Sequence, residues 1–212
     1  LESNEYDKLK KKMLKSIYKE GGFYIGRYEV GIGEENIVRN YKNYIGTTTE
    51  YPINETPAIQ KNKVVYNWIT ISQAQELSQR LSSALNLEDR TISLMFGIQR
   101  DLVLKYIEEQ EQYTKDGTNT LIDQELIKSD SVKWGNYSNA TFDITNTNAK
   151  YSENDGLNYT ILSGSYSKPI SHILLTTGAT ERNSVMNIYD LAGNVSEWTL
   201  EKIIRSTYPS NS

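Results

Sequence analysis

Cysteine is absent from this 212-residue chain, and histidine occurs once, at His172. The chain therefore has no disulfide, no thiol nucleophile and no cysteine ligand for a metal. One imidazole cannot build a three-histidine iron site. A Ser/His/Asp triad would need His172, and no serine lies in the G-x-S-x-G turn that presents a hydrolase nucleophile. We expect His172 to be a surface or packing residue.

Long apolar stretches and an excess of positive charge are also missing. A membrane-spanning helix needs about 18 or more consecutive apolar residues, and the sequence contains no such run. The given residues include no secretory signal pattern. The net charge is −4 and the pI is about 5.2, whereas a broad nucleic-acid surface is basic. We expect neither a membrane span nor a nucleic-acid partner.

Apolar residues are sparse but sufficient for a core, because 16 tyrosines add area to a hydrophobic fraction of 37%. The length fits one domain, or one domain and a short extension. Residues 4–19 show a helical stripe that Gly21 and Gly22 end. We expect an N-terminal helical extension over 1–21 and one domain over 22–212.

The predicted first helix has an apolar stripe and a basic face. The stripe consists of Tyr6, Leu9, Met13, Leu14 and Ile17. The basic face consists of Lys8, Lys10, Lys11, Lys12, Lys15 and Lys19. Such a face is either solvated or in contact with an anionic surface, and the solvated interpretation is the simpler one.

The remaining pattern predicts an α+β domain. Residues 22–30 alternate as a strand does. Ser72 and Gln75 have the spacing of a capping box at the start of a helix. We expect its buried stripe at Ala74, Leu77, Leu81, Ala84 and Leu85. A second helix is predicted from Ile98 to Gln112, with Ile98, Leu102, Val103, Tyr106 and Ile107 facing inward. The long polar stretch 113–185 is expected to hold loops and short strands, such as 159–162.

The run 187–199 places two acids, a glycine, an amide and a tryptophan close together. A glycine turn flanked by oxygen donors is typical of a site for a hard cation, although calcium normally takes six or more oxygens. Asp190 and Glu197 offer carboxylates, and Gly193 and Val195 offer backbone carbonyls. The alternative is a polar turn followed by a strand whose Trp198 fills the core.

Four segments of the chain resemble the formylglycine-generating-enzyme (sulfatase-modifying factor) superfamily. Gly193 to Trp198 matches its G-N-V-x-E-W signature, and residues 22–30 are similar to its opening strand, F-x-I-G-x-Y-E-V. Residues 67–74 are similar to the V-x-W-x-x-A start of its first helix. Residues 94–102 are similar to the L-P-T-E-A-E-W-E-Y segment before its second helix. The order and approximate spacing agree over residues 22–200.

The resemblance implies a C-type-lectin-like fold with two core helices, short irregular antiparallel strands and long loops. It does not bring the family's chemistry with it. Formylglycine generation uses a pair of copper-binding cysteines, and a sister branch uses an iron held by several histidines; this chain has neither set. The 27 Asp and Glu residues would allow a glycosidase pair by number, but no pair stands out. We expect no enzymatic activity.

The resemblance does imply a structural calcium ion. In family members with known metal sites, the residues that correspond to Asp190, Gly193, Val195 and Glu197 bind calcium. Here Asp190 and Glu197 would act through carboxylates, and Gly193 and Val195 through backbone oxygens. We therefore expect Ca²⁺ to hold the long loop on the core, and we expect no other cofactor.

The chain also departs from the family pattern. Ser196 and Arg100 stand where the family usually has tryptophan, so these positions either face solvent or pack differently. The family continues past the signature through R-x-G-G-S to a closing strand, whereas the last distinctive residues here are Arg205 to Pro209. We expect the closing segment to be missing, replaced or supplied by an assembly partner. Otherwise residues 22–30 would be an exposed edge strand.

These observations predict a non-catalytic ligand-binding or display domain of a bacterial surface or phage protein. Its partner would be a glycan or a protein on a cell surface, since tyrosine and asparagine suit such contacts. The expected location is extracellular, on the cell surface or on a phage virion. The alternative is a structural subunit of a pilus, filament or phage particle.

Overall fold

The computed structural model describes residues 3–39, 51–87, 90–109, 114–115, 120–121, 135–137, 144–152, 161–163, 174–181 and 184–201. These residues form a mixed α+β arrangement. The helices are α1 (Ser3–Glu20), α2 (Ile71–Ala84) and α3 (Gly97–Glu109). The strands are β1 (Gly31–Ile32), β2 (Pro57–Ala58), β3 (Thr114–Lys115), β4 (Thr120–Leu121), β5 (Lys150–Ser152), β6 (Ile161–Ser163), β7 (Leu174–Leu175), β8 (Ser184–Val185) and β9 (Ile188–Tyr189).

The strands pair in small antiparallel groups. β1 pairs with β2, β3 with β4, and β8 with β9, while β5 lies between β6 and β7. The predicted strand at 159–162 corresponds to β6, which begins at Ile161; residues 159–160 lie outside the described residues. His172, residues 110–112 and residues 202–212 lie outside them as well.

α1 confirms the predicted N-terminal helix, and it ends at Glu20 before Gly21, whose φ is +79°. Its apolar side packs into the domain. Leu9 is buried with Phe96 and Leu200, and the Tyr6 ring meets the Phe96 ring edge-on at 5.2 Å. Glu5 Oε1 accepts a hydrogen bond from Gln79 Nε2 at 3.0 Å. The helix is therefore held in a fixed orientation on α2 and the segment before α3.

The start of α2 differs from the prediction. The N-cap is Thr70, not Ser72: Thr70 Oγ1 accepts from Gln73 N–H at 3.3 Å, and Gln73 Oε1 accepts from Thr70 N–H at 3.0 Å. The sequence contains two overlapping capping boxes, and the earlier one is used. Ala74, Leu77 and Leu81 are buried as predicted, whereas Ala84 and Leu85 are exposed at the end of the helix.

The inward face of α3 was only partly predicted. Val103 and Ile107 are buried, and they pack with Val185 and Leu191. Ile98, Leu102 and Tyr106 are exposed. Residues four apart share one side of a helix, so these three form a separate stripe about 100° from the buried one. The prediction was wrong for these residues because it treated both stripes as one face.

The predicted strand at 22–30 is an extended segment without a regular ladder. The predicted alternation of inward and outward side chains is confirmed, since Phe23 and Ile25 are half-buried against the Val103 cluster and Tyr24 is 99% exposed. Its carbonyls instead accept single hydrogen bonds: Arg27 O from Tyr189 N–H at 2.8 Å and Val30 O from Tyr66 N–H at 2.9 Å. Regular pairing begins only at β1.

Arg39 is a fully buried cation that joins three segments. Its guanidinium donates to the carbonyl oxygens of Asn67 (2.8 Å), Pro52 (2.5 Å), Tyr51 (3.3 Å) and Trp68 (3.2 Å), and to Glu55 Oε2 (3.0 Å). It also lies over the Tyr51 ring, at 3.9 Å from the centroid. Each donor has a partner, so Arg39 organises the 51–56 loop, which the sequence pattern marks only as polar.

Candidate functional site

Residues 184–194 form a hairpin followed by a tight turn. β8 and β9 are joined by Met186 and Asn187, whose φ angles are 51° and 63°. Positive φ at both central residues is the geometry of a type I′ hairpin. Asp190 follows β9 directly and also has positive φ, 57°. The chain then reaches Gly193 and Asn194, the G-N pair of the motif.

Gly193 lies directly against the backbone of Asn136. Its φ is +84°, and a Cβ at this position would lie 2.5 Å from the carbonyl carbon of Asn136. Asn136 N–H donates to Ala192 O at 3.0 Å, and Asn194 N–H donates to Asn136 O at 2.8 Å. A glycine is therefore required both for the backbone conformation and for the close approach.

The Asn194 side chain makes backbone hydrogen bonds of the kind that a neighbouring strand would make. Its Oδ1 accepts from Leu175 N–H at 3.0 Å and from Asn136 Nδ2 at 2.7 Å. Its Nδ2 donates to Leu175 O at 3.2 Å and to Glu29 Oε2 at 2.8 Å. An amide side chain offers this combination of two donors and an acceptor. Asn194 thus connects β7, the 135–137 segment and Glu29.

Glu29 and Asp190 are buried carboxylates beneath this turn. Asp190 Oδ2 accepts from Gly178 N–H at 2.9 Å. Glu29 Oε1 is buried and has no hydrogen-bond partner among the described residues. Burial raises the pKa of Glu29 well above its usual range, and the negative charge of Asp190 raises it further. The hydrogen bonds from the Asn194 side chain and the Val195 backbone act in the opposite direction and lower the pKa. The site therefore favours a proton or an added cation.

Glu197 is held at the edge of this acidic group by Arg100. Glu197 Oε2 accepts from Arg100 Nη1 at 2.6 Å, and Arg100 Nη2 donates to Leu191 O at 3.1 Å. Partial burial raises the pKa of Glu197, whose side chain is 42% exposed, and Arg100 opposes that rise. Arg100 thus ties α3 to the turn. Ser196, the other departure from the family pattern, is exposed.

Two of the four predicted calcium ligands already contact other groups. Asp190 accepts from Gly178, and Glu197 is paired with Arg100. Gly193 is fixed by Asn136, and Val195 is half-buried. Across the described ranges, no group of three or more His, Asp and Glu side chains is arranged to hold a metal. Calcium at this turn stays a prediction.

Sequence reasoning missed Glu29 and Asn136. Glu29 lies between Tyr28 and Val30, so an acid in a segment with apolar alternation was an available signal. No pattern marks Asn136, because its role depends on a backbone contact with a residue far along the chain.

Trp198 does not fill the core, contrary to the alternative interpretation of this run. Its side chain is 48% exposed. The indole Nε1–H donates to Ile69 O at 3.1 Å, which anchors the ring to the segment before α2. The ring is thus both fixed and accessible.

Comparison of the chain with protein-family models, with curated proteins and with solved structures found no match. The family resemblance therefore rests on the four sequence segments alone. None of the helices in the described part of the chain has the length and apolar character needed to cross a membrane.

Proposed function

We propose that this chain is a non-catalytic domain of the C-type-lectin-like type that binds a glycan or protein ligand on a cell surface. The absence of cysteine excludes the copper chemistry of the family it resembles. The polar groups of the signature turn are largely engaged with the protein itself: Asn194 with Leu175, Asp190 with Gly178, and Glu197 with Arg100. Such a turn supports a scaffold, and recognition then falls to exposed side chains.

Exposed Trp198 is the observation that carries this proposal. An indole face stacks on the C–H face of a sugar or on an apolar protein surface, and tryptophan is enriched where proteins bind ligands. The bond from Nε1–H to Ile69 O fixes the ring before any ligand arrives. A fixed ring loses little conformational entropy on binding. The expected location is extracellular, on a cell or on a phage particle.

A glycan array and binding to whole bacteria test this function, with Trp198→Ala as the main variant. We expect saturable binding by the wild-type chain and a loss of about tenfold or more in Trp198→Ala, as for a typical aromatic hot spot. Tyr24→Ala is the control, since it removes a fully exposed aromatic that has no such anchor in the described part of the chain. Binding that is equal in all three proteins would exclude Trp198, and no saturable binding by the wild type would exclude the function.

A structural subunit of a pilus, filament or phage particle is the second candidate. The exposed stripe of Ile98, Leu102 and Tyr106 on α3 favours it, because apolar side chains at this spacing suit helix packing against another chain. Residues 22–30 also lack a ladder partner among the described residues, so an assembly partner could supply a closing strand. Sedimentation of the wild type and of Leu102→Glu separates the candidates: a concentration-dependent oligomer lost in the variant supports assembly.

A structural calcium ion at the turn belongs to the same proposal. The negative charges of Glu29, Asp190 and Glu197 act on one another there, which attracts a cation. Asp190 and Glu197 would supply carboxylate oxygens, with Gly193 and Val195 as carbonyl donors. The ion would supply positive charge and rigidity, not chemistry, because binding to the folded state alone stabilises that state.

A further inference from the structure

The outward face of α1 is a strongly basic surface that has few acidic neighbours among the described residues. Lys8, Lys11 and Lys15 are exposed and follow one another at spacings of three and four residues, so they line one side of the helix. None of the three has an ion-pair partner within the described ranges. Lys10 and Lys19 flank this row, and Lys12 Nζ donates to Thr91 Oγ1 at 3.0 Å.

Two large apolar side chains lie beside the same row. Leu14 is 53% exposed and Tyr18 is 90% exposed. They are four residues apart, so they are adjacent on the helix surface, next to Lys11 and Lys15. Asp7 is the acid on this side of the helix. The sequence pattern assigned Leu14 to the buried stripe, and the structure places it on the basic face instead.

The opposite side of α1 is fixed to the domain, so the basic face has a defined direction. Leu9, Tyr6 and Met13 pack with Phe96 and Leu200. A helix of 18 residues presents a straight surface about 27 Å long. The face is therefore a built part of the domain surface.

Charge is also segregated between α1 and the rest of the chain. The helix carries six lysines against Glu5, Asp7 and Glu20, a net charge of +3. The whole chain has −4, which leaves −7 on the other residues. Near an anionic surface, such a distribution orients the chain with α1 inward and the remainder outward.

We propose that this face docks on an anionic lipid bilayer. Lysine is a compact point charge that suits a diffuse layer of phosphate headgroups better than a fixed carboxylate. Leu14 and Tyr18 favour a bilayer over a soluble polyanion, because an apolar group and an aromatic ring between lysines match the boundary between headgroups and acyl chains. The docking is peripheral and independent of the ligand-binding function proposed above.

Vesicle co-sedimentation tests the proposal with three proteins. The first is the wild type, and the second carries Lys8→Gln, Lys11→Gln and Lys15→Gln. The third is a control with the same net charge, Lys61→Gln, Arg90→Gln and Lys105→Gln, which removes the half-exposed Lys61 and two exposed cations, all outside α1. Each is mixed with phosphatidylcholine vesicles that either contain or lack phosphatidylglycerol. Circular dichroism confirms that all variants are folded.

We expect the wild type to bind only vesicles that contain phosphatidylglycerol. At about fivefold per lysine, the affinity should fall roughly 100-fold in the α1 triple variant and stay nearly unchanged in the control. Leu14→Ser with Tyr18→Ser should also weaken it, while leaving its salt dependence unchanged. Equal losses of affinity in both triple variants would show that binding depends on net charge alone and not on the basic face of α1. The bilayer proposal would be overturned if the wild type did not bind the vesicles. It would also be overturned if the wild type bound soluble heparin as tightly as the vesicles and the Leu14 and Tyr18 substitutions did not change that affinity.

Discussion

Arg39 and Glu29 are both buried charges, but their surroundings are opposite. Arg39 has a carboxylate at 3.0 Å, four carbonyl acceptors and the Tyr51 ring at 3.9 Å. Glu29 has no cation beside it among the described residues: it accepts hydrogen bonds from the Asn194 side chain and the Val195 backbone, and the charged groups that act on it, Asp190 and Glu197, are also negative. The Arg39 charge is compensated by groups of the chain itself. The Glu29 charge needs a proton or an added cation for compensation, so pH and cation concentration should change the stability of the protein through this residue.

Removing Arg39 should have the largest effect on stability. Arg39→Met removes the cation beside Glu55, which keeps only the Tyr66 hydroxyl as a donor within the described ranges, and it removes the donor to several carbonyl groups. Breaking a buried pair in this way costs about 3–5 kcal/mol. Arg39→Lys should recover little, since one ammonium cannot replace the planar fork. Chemical denaturation measures the loss, and Arg90→Met, at an exposed arginine, is the control, expected within about 0.5 kcal/mol of wild type. A similar small loss at both positions would show that the Arg39 contacts add no stability.

Gly193→Ala tests the close contact between the backbones of Gly193 and Asn136 next to the acidic group. Gly21→Ala is matched to it, because φ is +79° at Gly21 and +84° at Gly193, but no atom of the other described residues lies within 4 Å of a Cβ at Gly21. The φ penalty alone is about 1–2 kcal/mol. Gly193→Ala adds the contact with Asn136, so we expect roughly twice the loss of Gly21→Ala, measured as the shift in the denaturation midpoint. Equal losses would mean that the Asn136 segment moves away at no cost.

Calcium should raise the melting temperature if it binds at the turn and compensates the negative charge of the acidic group. An ion at a hundred times its Kd stabilises the folded state by about 2.7 kcal/mol. We expect the rise to disappear with a chelator and in Asp190→Asn. Magnesium at the same concentration is a control for ionic strength, since it prefers a stricter octahedral geometry. An unchanged transition in all of these conditions would remove calcium from the account.

The helices were predictable from sequence because their signals are local. Periodicity predicts α1, although it wrongly places the exposed Leu14 in the buried stripe, and it predicts the buried Val103–Ile107 pair. Gly21 and Gly22 predict where α1 ends. The choice of Thr70 over Ser72 as N-cap was not predictable from sequence, because each of them begins a valid capping box. Ladder formation at 22–30 depends on a partner strand, so alternation could predict the burial of Phe23 and Ile25 but not the pairing.

The site was predictable only in part. The motif identified Asp190, Gly193, Val195 and Glu197 as candidate ligands. Asp190 and Glu197 accept hydrogen bonds and Gly193 lies against Asn136, whereas the prediction left out Asn194, whose side chain makes several of the contacts at this turn. Their partners come from distant parts of the chain, among them Glu29, Arg100, Asn136 and Gly178. Such pairings depend on tertiary structure, which a single sequence does not specify. Calcium itself stays a prediction.

The most direct measurement is the stability of Glu29→Gln relative to wild type, followed by denaturation across pH in the presence of chelator. The folded pKa of Glu29 is raised, so its favourable contribution is complete below the usual carboxyl pKa and is lost as pH rises through the raised value. Gln is neutral at every pH and keeps an oxygen acceptor for Asn194. We predict that the variant is more stable than wild type at neutral pH, by on the order of 1 kcal/mol, and that the gain disappears in acid. A variant that is less stable at neutral pH without any cation would contradict the view that the Glu29 charge is uncompensated.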